Sequence, residues 1–209
     1  MTIAIVDLGI SNIGSILRSF EEVGAPPMER ATAKLVARAG AIVLPGVGAF
    51  GAAMAELHAQ DLVAPIRKAA QDGRIVFGVC LGMQLLADTS EEHGLHDGLG
   101  LVPGRVVRLP SGAGERVPNI GWCDVVPTRP GKLLREPGGR CFYHVHSYHL
   151  LPANPDCIAA TTTFGGHEVV VAVEQGNVLG VQFHPEKSQD DGLSLLASFV
   201  ALAAARSRT

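Results

Sequence analysis

A cysteine with glycine two positions away on each side, Gly78-Val79-Cys80-Leu81-Gly82, joins an apolar run to a helical one with no loop between them. A strand that turns into a helix in so little space makes a sharp elbow. This is the geometry in which G-x-S-x-G enzymes hold their serine, here with sulfur in place of oxygen. The tightness of the turn gives both glycines a steric reason, since side chains at 78 and 82 are expected to collide. The elbow presents the sulfur at a helix N-terminus, where the dipole and free N–H groups favour thiolate. It also aims the Leu81 N–H where an oxyanion would form. The competing reading is a buried cysteine beside two packing glycines, and local motifs of this kind do arise by chance.

A thiolate nucleophile needs a base, and the base needs an orienting partner. Gly180-Val181-Gln182-Phe183-His184-Pro185-Glu186 offers both at the end of another apolar run. In an extended chain residues 184 and 186 point to the same side, and Pro185 biases His184 toward extended geometry. Glu186 is therefore expected to hold the His184 imidazole, and the elbow and this segment together outweigh a merely structural histidine. A third loop, Pro45-Gly46-Val47-Gly48-Ala49-Phe50, leaves backbone N–H groups that could serve as a second oxyanion donor or as a phosphate cradle. Its glycines allow peptide flips, so the Val47 N–H can turn toward or away from the oxyanion. It lacks the lysine and spacing of a phosphate-binding P-loop.

These three segments need a frame that gathers strand ends at one edge. Thr2–Val6, Ala41–Leu44 and Ile75–Val79 read as short, continuously apolar strands. Helical stretches separate them: one capped by Asn12 with Ile13, Ile16, Leu17, Phe20 and Val23 on a face, then residues 51–58 and 62–70. That alternation predicts a largely parallel sheet covered on both faces. From Leu101 onward shorter strands follow, at residues 102–108, 122–126, 141–145, 169–174 and 178–183, before a helix over 193–205 and a frayed tail at 206–209. The expected fold class is therefore α/β, one domain over residues 1–209 with a β-rich second half.

Composition narrows the function classes. Lys plus Arg is 17 and Asp plus Glu is 20, a formal net charge of −3, which argues against a dedicated nucleic-acid binder. No apolar run reaches the ~20 residues that a membrane span requires, and the N-terminus enters a strand without a basic start, so no membrane partner and a cytoplasmic location are expected. Four cysteines, at 80, 123, 141 and 157, show no pairing pattern and fit a reducing compartment. Three of them read as small buried hydrophobes.

Together the segments resemble the class I, triad-type glutamine amidotransferases, which have a flavodoxin-like α/β fold. The likeness covers nearly the whole chain. It runs through Asp7-Leu8-Gly9-x-x-Asn12, the Pro45–Phe50 loop, the elbow with Met83-Gln84-Leu85-Leu86, Val117-Pro118-x-Ile120-Gly121-Trp122, Val145-His146-Ser147-Tyr148, and residues 180–188. The P-G-V-G-A-F and G-M-Q-L-L strings point to the branch whose ammonia feeds a cyclase of histidine biosynthesis. The resemblance implies that Cys80, His184 and Glu186 form a glutaminase triad, with Val47, Gly48 and Leu81 as backbone oxyanion donors. It implies that Gln84, Glu92, His146, Ser147 and Tyr148 bind glutamine. It also implies a heterodimer with a (β/α)8-barrel cyclase, met by Asn12, Trp122, Tyr143 and Lys187. No cofactor and no metal are implied.

Four departures from the family pattern stand out. Ile10-Ser11 replaces a more usual Gly-containing pair, Asn119 stands where histidine is usual, Cys123 where asparagine is common, and His144 where an aromatic is normal. They bear on gating and docking more than on the triad. His144, His146 and His149 could be read as metal ligands, but no cysteine or carboxylate at ligand spacing completes a set. His93 and His96 read as solvated loop residues, and Arg105, Arg108, Arg116 and Arg129 as a solvated face. Alternatives to the branch above are another class I amidotransferase subunit and a stand-alone cysteine hydrolase of γ-glutamyl peptides. A regulatory binding protein on the same fold is expected to have lost at least one of Cys80, His184 and Glu186.

Overall fold

The structure, a computed structural model, describes residues 1–9, 12–110, 116–135 and 139–206. Strand and helix alternate first: β1 Ile3–Ile5, α1 Ile13–Glu22, β2 Met28–Arg30, α2 Ala33–Val36, β3 Ala41–Gly46, α3 Phe50–Ala59, α4 Val63–Gln71, β4 Ile75–Cys80 and α5 Leu81–Leu85. Strands then dominate: β5 Thr89–Ser90, β6 His96–Asp97, β7 Gly104–Arg108, β8 Asn119–Pro127, β9 Arg140–His146, β10 Tyr148–Pro152, β11 Ile158–Phe164, β12 His167–Gln175 and β13 Val178–Val181. Helix α6, Gln189–Arg206, closes the chain. The departure at Ile10-Ser11 and the tail at 207–209 lie outside the described residues.

Nine strands form one sheet in the order β2-β1-β3-β4-β13-β12-β11-β8-β9. The first five run parallel and the remainder are antiparallel, so the sheet is mixed. Parallel neighbours need long crossovers, which the helices supply, and those helices cover the sheet. Both faces of the parallel half are consequently dry. Ile3, Ile5, Val43 and Phe77 pack with Phe20 of α1 and Phe199 of α6 on one side. Ala4, Val6, Ile42 and Leu44 pack with Phe50, Leu57 and Ile66 on the other. Phe199 stacks on Phe77 at 5.0 Å and meets Phe20 edge-on at 5.6 Å. A small second sheet, β10-β7-β5-β6, lies beside it.

The sequence-based boundaries shift in physically understandable ways. Pro45 and Gly46, expected to stop the second strand, extend it, paired with Val79 and Cys80. Strands β2, β5, β6, β10 and β11 lie outside the expected set. β2 is a polar edge strand, and β11, Ile-Ala-Ala-Thr-Thr-Thr-Phe, is buried on small side chains with no apolar alternation. Asn12 caps α1 as expected, its side chain accepting from the Ser15 N–H at 3.3 Å. His96 is half-buried in β6 and sits against Gly51, so it is not a freely solvated loop residue.

The register fixes the site. Gly46 lies opposite Cys80, and Val79 lies opposite Val181. The carboxyl ends of β3, β4 and β13 therefore reach the same edge, where open α/β sheets bind ligands.

Candidate active site

Cys80 ends β4 and begins α5 with φ +55° and ψ −112°, an orientation that L-residues avoid. Strain of this sort costs on the order of 1–3 kcal/mol and persists only where the surroundings enforce it. Here they do. A Cβ on Gly78 would lie 2.4 Å from the Gly82 carbonyl oxygen. A Cβ on Gly82 would lie 1.6 Å from the Leu44 carbonyl oxygen of β3. The glycine at 82 is thus required by the neighbouring strand, not by a side chain at 78 as the sequence suggested. Gly46 and Gly180 let the flanking strands close on Leu81 and Met83 in the same way.

His184 follows β13 and is held from both sides of its peptide. Its N–H donates to the Tyr143 carbonyl at 2.9 Å, and its carbonyl accepts from Ser188 Oγ at 2.6 Å. The chain beyond is not extended, contrary to expectation: Pro185–Lys187 forms a 3₁₀ turn. Glu186 reaches His184 through that turn, its Oε1 lying 2.7 Å from Nδ1. The carboxylate can only accept, so Nδ1 carries the proton and Nε2 is left for Cys80. Nε2 and Glu186 Oε2 are buried and make no hydrogen bond of ordinary geometry among the described residues. Burial alone would push the His184 imidazole down. Hydrogen bonding to the Cys80 sulfur and the Glu186 carboxylate, and the negative charge of both, outweigh it and raise the pKa to about 9, so the pair favours imidazolium.

Cys80, Val47, Gly48, Leu81, Gln84, Glu92, His146, Ser147 and Tyr148 line one cleft of ≈ 340 Å³, with Pro118 and Val145 completing its wall. The nucleophile, the expected oxyanion donors and the expected glutamine-binding residues line this one space, while His184 and Glu186 lie behind its lining. Gln84 is nearly buried, and its Nε2 donates to the Tyr148 carbonyl at 2.9 Å. Glu92 accepts from the Phe50 N–H at 2.6 Å, tying the segment after β3 to the cleft. Gly48 takes φ +96°, which only glycine tolerates well. Sequence reasoning passed over Pro118, Val145 and Gln182. The last gives the clearest signal, a glutamine inside an apolar strand end that proves fully buried.

The remaining expected residues lie elsewhere. Trp122 and Tyr143 face each other across β8 and β9, ring centroids 6.1 Å apart, and Lys187 Nζ sits 5.7 Å over the Tyr143 ring. Trp122 is 48% exposed and Ile120 61%, so this ribbon shows an apolar outer face. Asn12 is exposed at the start of α1.

The inner face of the same ribbon carries three of the departures. Asn119 and Cys123 contact each other at 3.5–3.6 Å, and His144 Nδ1 lies 3.2 Å from His146 Nε2. His146 Nδ1 in turn lies 2.9 Å from the Tyr148 carbonyl. That carbonyl must accept, so His146 Nε2 is bare and His144 Nδ1 donates to it. Burial, then the neighbouring histidines, pushes His144 down to about 3; burial likewise takes His146 and His149 to about 4. All three are neutral when folded and take up protons on unfolding. Their contribution to stability is full above about pH 6.5 and is lost as pH falls toward 4, with a slope of up to about 4 kcal/mol per pH unit for three protons. His144→Phe is expected to make the urea midpoint less sensitive to acid by about one proton's worth, measured between pH 7 and 4.5.

A glutamine amidotransferase class-I family profile matches residues 4–202. Imidazole glycerol phosphate synthase subunit HisH of Moorella thermoacetica is 46% identical over 94% of this chain and 93% of its own length. The HisH subunit of Salinibacter ruber is 45% identical over 95% and 93%. That of Geobacter sulfurreducens is 42% identical over 94% and 97%. Among solved structures, a glutamine amidotransferase aligns with TM-score 0.73 at 19% identity, covering 95% of this chain and 98% of that one. PurLQS from Thermotoga maritima aligns with TM-score 0.72 at 20% identity, covering 96% and 98%. At these identities the two structures speak for the fold alone.

Proposed function

The chain belongs to the class-I glutamine amidotransferase family, and we propose from that premise how its cleft works. It is the glutaminase subunit of an imidazole glycerol phosphate synthase, with residues 1–209 forming one amidotransferase domain. The observation that carries the site assignment is the convergence of Cys80, the His184–Glu186 pair and the cleft-lining residues at one sheet edge. The absence of a disulfide among the described residues fits a cytoplasmic location.

With its proton held on His184 Nε2, Cys80 attacks the side-chain carbonyl carbon of glutamine through its sulfur. The carbonyl oxygen becomes an oxyanion that takes the Leu81 N–H, and the Val47 or Gly48 N–H when that peptide faces inward. His184 returns the proton to the leaving nitrogen, so ammonia departs and a glutamyl thioester remains. Water then attacks the thioester, His184 takes its proton, and glutamate leaves as Cys80 is restored. Gln84, Glu92 and the backbone of 146–148 hold the substrate. Ammonia passes to a (β/α)8-barrel cyclase bound as a heterodimer against Asn12, Trp122, Tyr143 and Lys187.

Glu186 orients the imidazole and favours its charged form, whereas the imidazole itself moves the proton. Glu186→Gln keeps an acceptor for Nδ1–H and is expected to cost less than His184→Ala, whose role is worth ~10²–10⁴-fold. Glutaminase turnover of the two variants in the assembled synthase checks this. A Glu186→Gln enzyme as inactive as His184→Ala would show that the charge, not the orientation, is what matters.

The whole reading is tested by initial glutaminase rates for the chain alone, with cyclase, and with cyclase plus its nucleotide ligand. The chain alone is expected to be slow, by ~10²–10³-fold if one oxyanion donor is turned away. Val47→Pro, which deletes that N–H, is expected to flatten the stimulation while glutamine still binds. Full activity from the chain alone would identify a stand-alone hydrolase instead.

A further inference from the structure

Buried polar groups need partners, and several between the start of β10 and the nucleophile find them in one another. The Tyr148 carbonyl can only accept. It lies 2.9 Å from His146 Nδ1 and 2.9 Å from Gln84 Nε2, so both of its lone pairs are used. An acceptor of fixed chemistry thus decides which end of the Gln84 amide is nitrogen. The second N–H on that nitrogen meets Gln182 Oε1 at 3.1 Å. Gln182 must therefore present oxygen to Gln84, and its Nε2 faces Cys80 Sγ at 3.8 Å. Gln182 is fully buried, and its own backbone N–H is held by the Val171 carbonyl at 2.8 Å.

We infer that Gln182 is a positioning residue for the nucleophile: its amide donates an N–H to Cys80 Sγ, in an orientation locked through Gln84 by the Tyr148 carbonyl. The inference rests on the thioester chemistry proposed above and adds a second support for the sulfur. His184 exchanges the proton, while Gln182 holds the sulfur without exchanging anything. A donor aimed at sulfur binds the thiolate more strongly than the thiol. It therefore acts as the nucleophile attacks and again as the thioester breaks down. At 3.8 Å the contact is long for an uncharged thiol and shortens as charge develops.

Two variants of the full chain separate these effects. Gln182→Met fills the space with neither donor nor acceptor. Gln182→Glu keeps an oxygen toward Gln84 and turns another oxygen, in place of the donor, to the sulfur. Each is treated with iodoacetamide between pH 6 and 9, and labelling of all four cysteines is followed by peptide mass spectrometry. Glutaminase kcat and KM are measured with the cyclase present. At pH 7, Cys80 labelling is expected to fall ~10-fold or more in Gln182→Met, and further in Gln182→Glu, since a hydrogen bond to a charged group is worth about that much. Cys123, Cys141 and Cys157 should label at the parental rate, and kcat should fall with KM for glutamine held within about twofold. Parental Cys80 labelling in both variants overturns the inference, as does faster labelling of all four cysteines together, the mark of lost packing. A parent chain that fails to hydrolyse glutamine with its cyclase would sink the proposed function, and the labelling would still decide the role of Gln182.

Discussion

Replacing Cys80 with serine or alanine is expected to abolish glutamine-dependent synthesis in the assembled complex, by ~10⁴–10⁶-fold, and to leave synthesis from added ammonium at the parental rate. On the proposed mechanism the sulfur serves only the release of ammonia. Serine keeps the size and the backbone orientation at φ +55°, so the elbow and the cyclase contact survive. Its hydroxyl is a far weaker nucleophile at neutral pH, even beside an imidazole. Product formation with each nitrogen source, on the same preparation, is the measurement. An equal fall in the ammonium-driven rate would mean that Cys80 supports the assembly itself.

The second large effect is structural. Gly82→Ala is expected to unfold the chain or cost more than ~3 kcal/mol, because its Cβ would sit 1.6 Å from the Leu44 carbonyl oxygen. Backbone on both sides leaves no flexible side chain to give way. The proper control is Gly14→Ala in α1, where the nearest atom is 3.9 Å away. There the exchange should stabilise by roughly 0.5–1 kcal/mol through helix propensity. Urea unfolding midpoints of the two variants make the comparison. A well-folded Gly82→Ala chain would show that β3 can retreat from the elbow, and the Cys80 strain would then need another cause.

The elbow was legible from residues 78–82 because strand, turn and helix are all local and the glycines mark the crowding. What the glycines were crowded against was not legible. The Leu44 carbonyl lies 38 positions away, and only strand register brings it there. The spacing of His184 and Glu186 reveals the pair but not the conformation that joins it. Spacing two apart suits an extended chain, but proline at 185 starts a 3₁₀ turn that brings the same groups to 2.7 Å. β2 and β11 are not legible in the sequence because Met-Glu-Arg and Ala-Ala-Thr-Thr-Thr lack an apolar period. The direction of the amide at Gln182 is a property of three distant segments meeting, and no window of sequence contains it.

The close approach of β3 to the elbow has a further consequence for motion. Leu44 is pressed on Gly82, Gly46 on Leu81, and Phe50 is moored to Glu92. Between those moorings hang Val47, Gly48 and Ala49, about 10 Å of contour at full stretch. A span pinned at both ends cannot slide, but its peptide planes can spin like a crankshaft while the α-carbons stay nearly in place. The on and off forms of the glutaminase would then superimpose almost atom for atom along the Cα trace. Their difference would lie in which way two N–H vectors point, a quantity read by amide chemical shifts and hydrogen exchange at Val47 and Gly48 rather than by any change in shape.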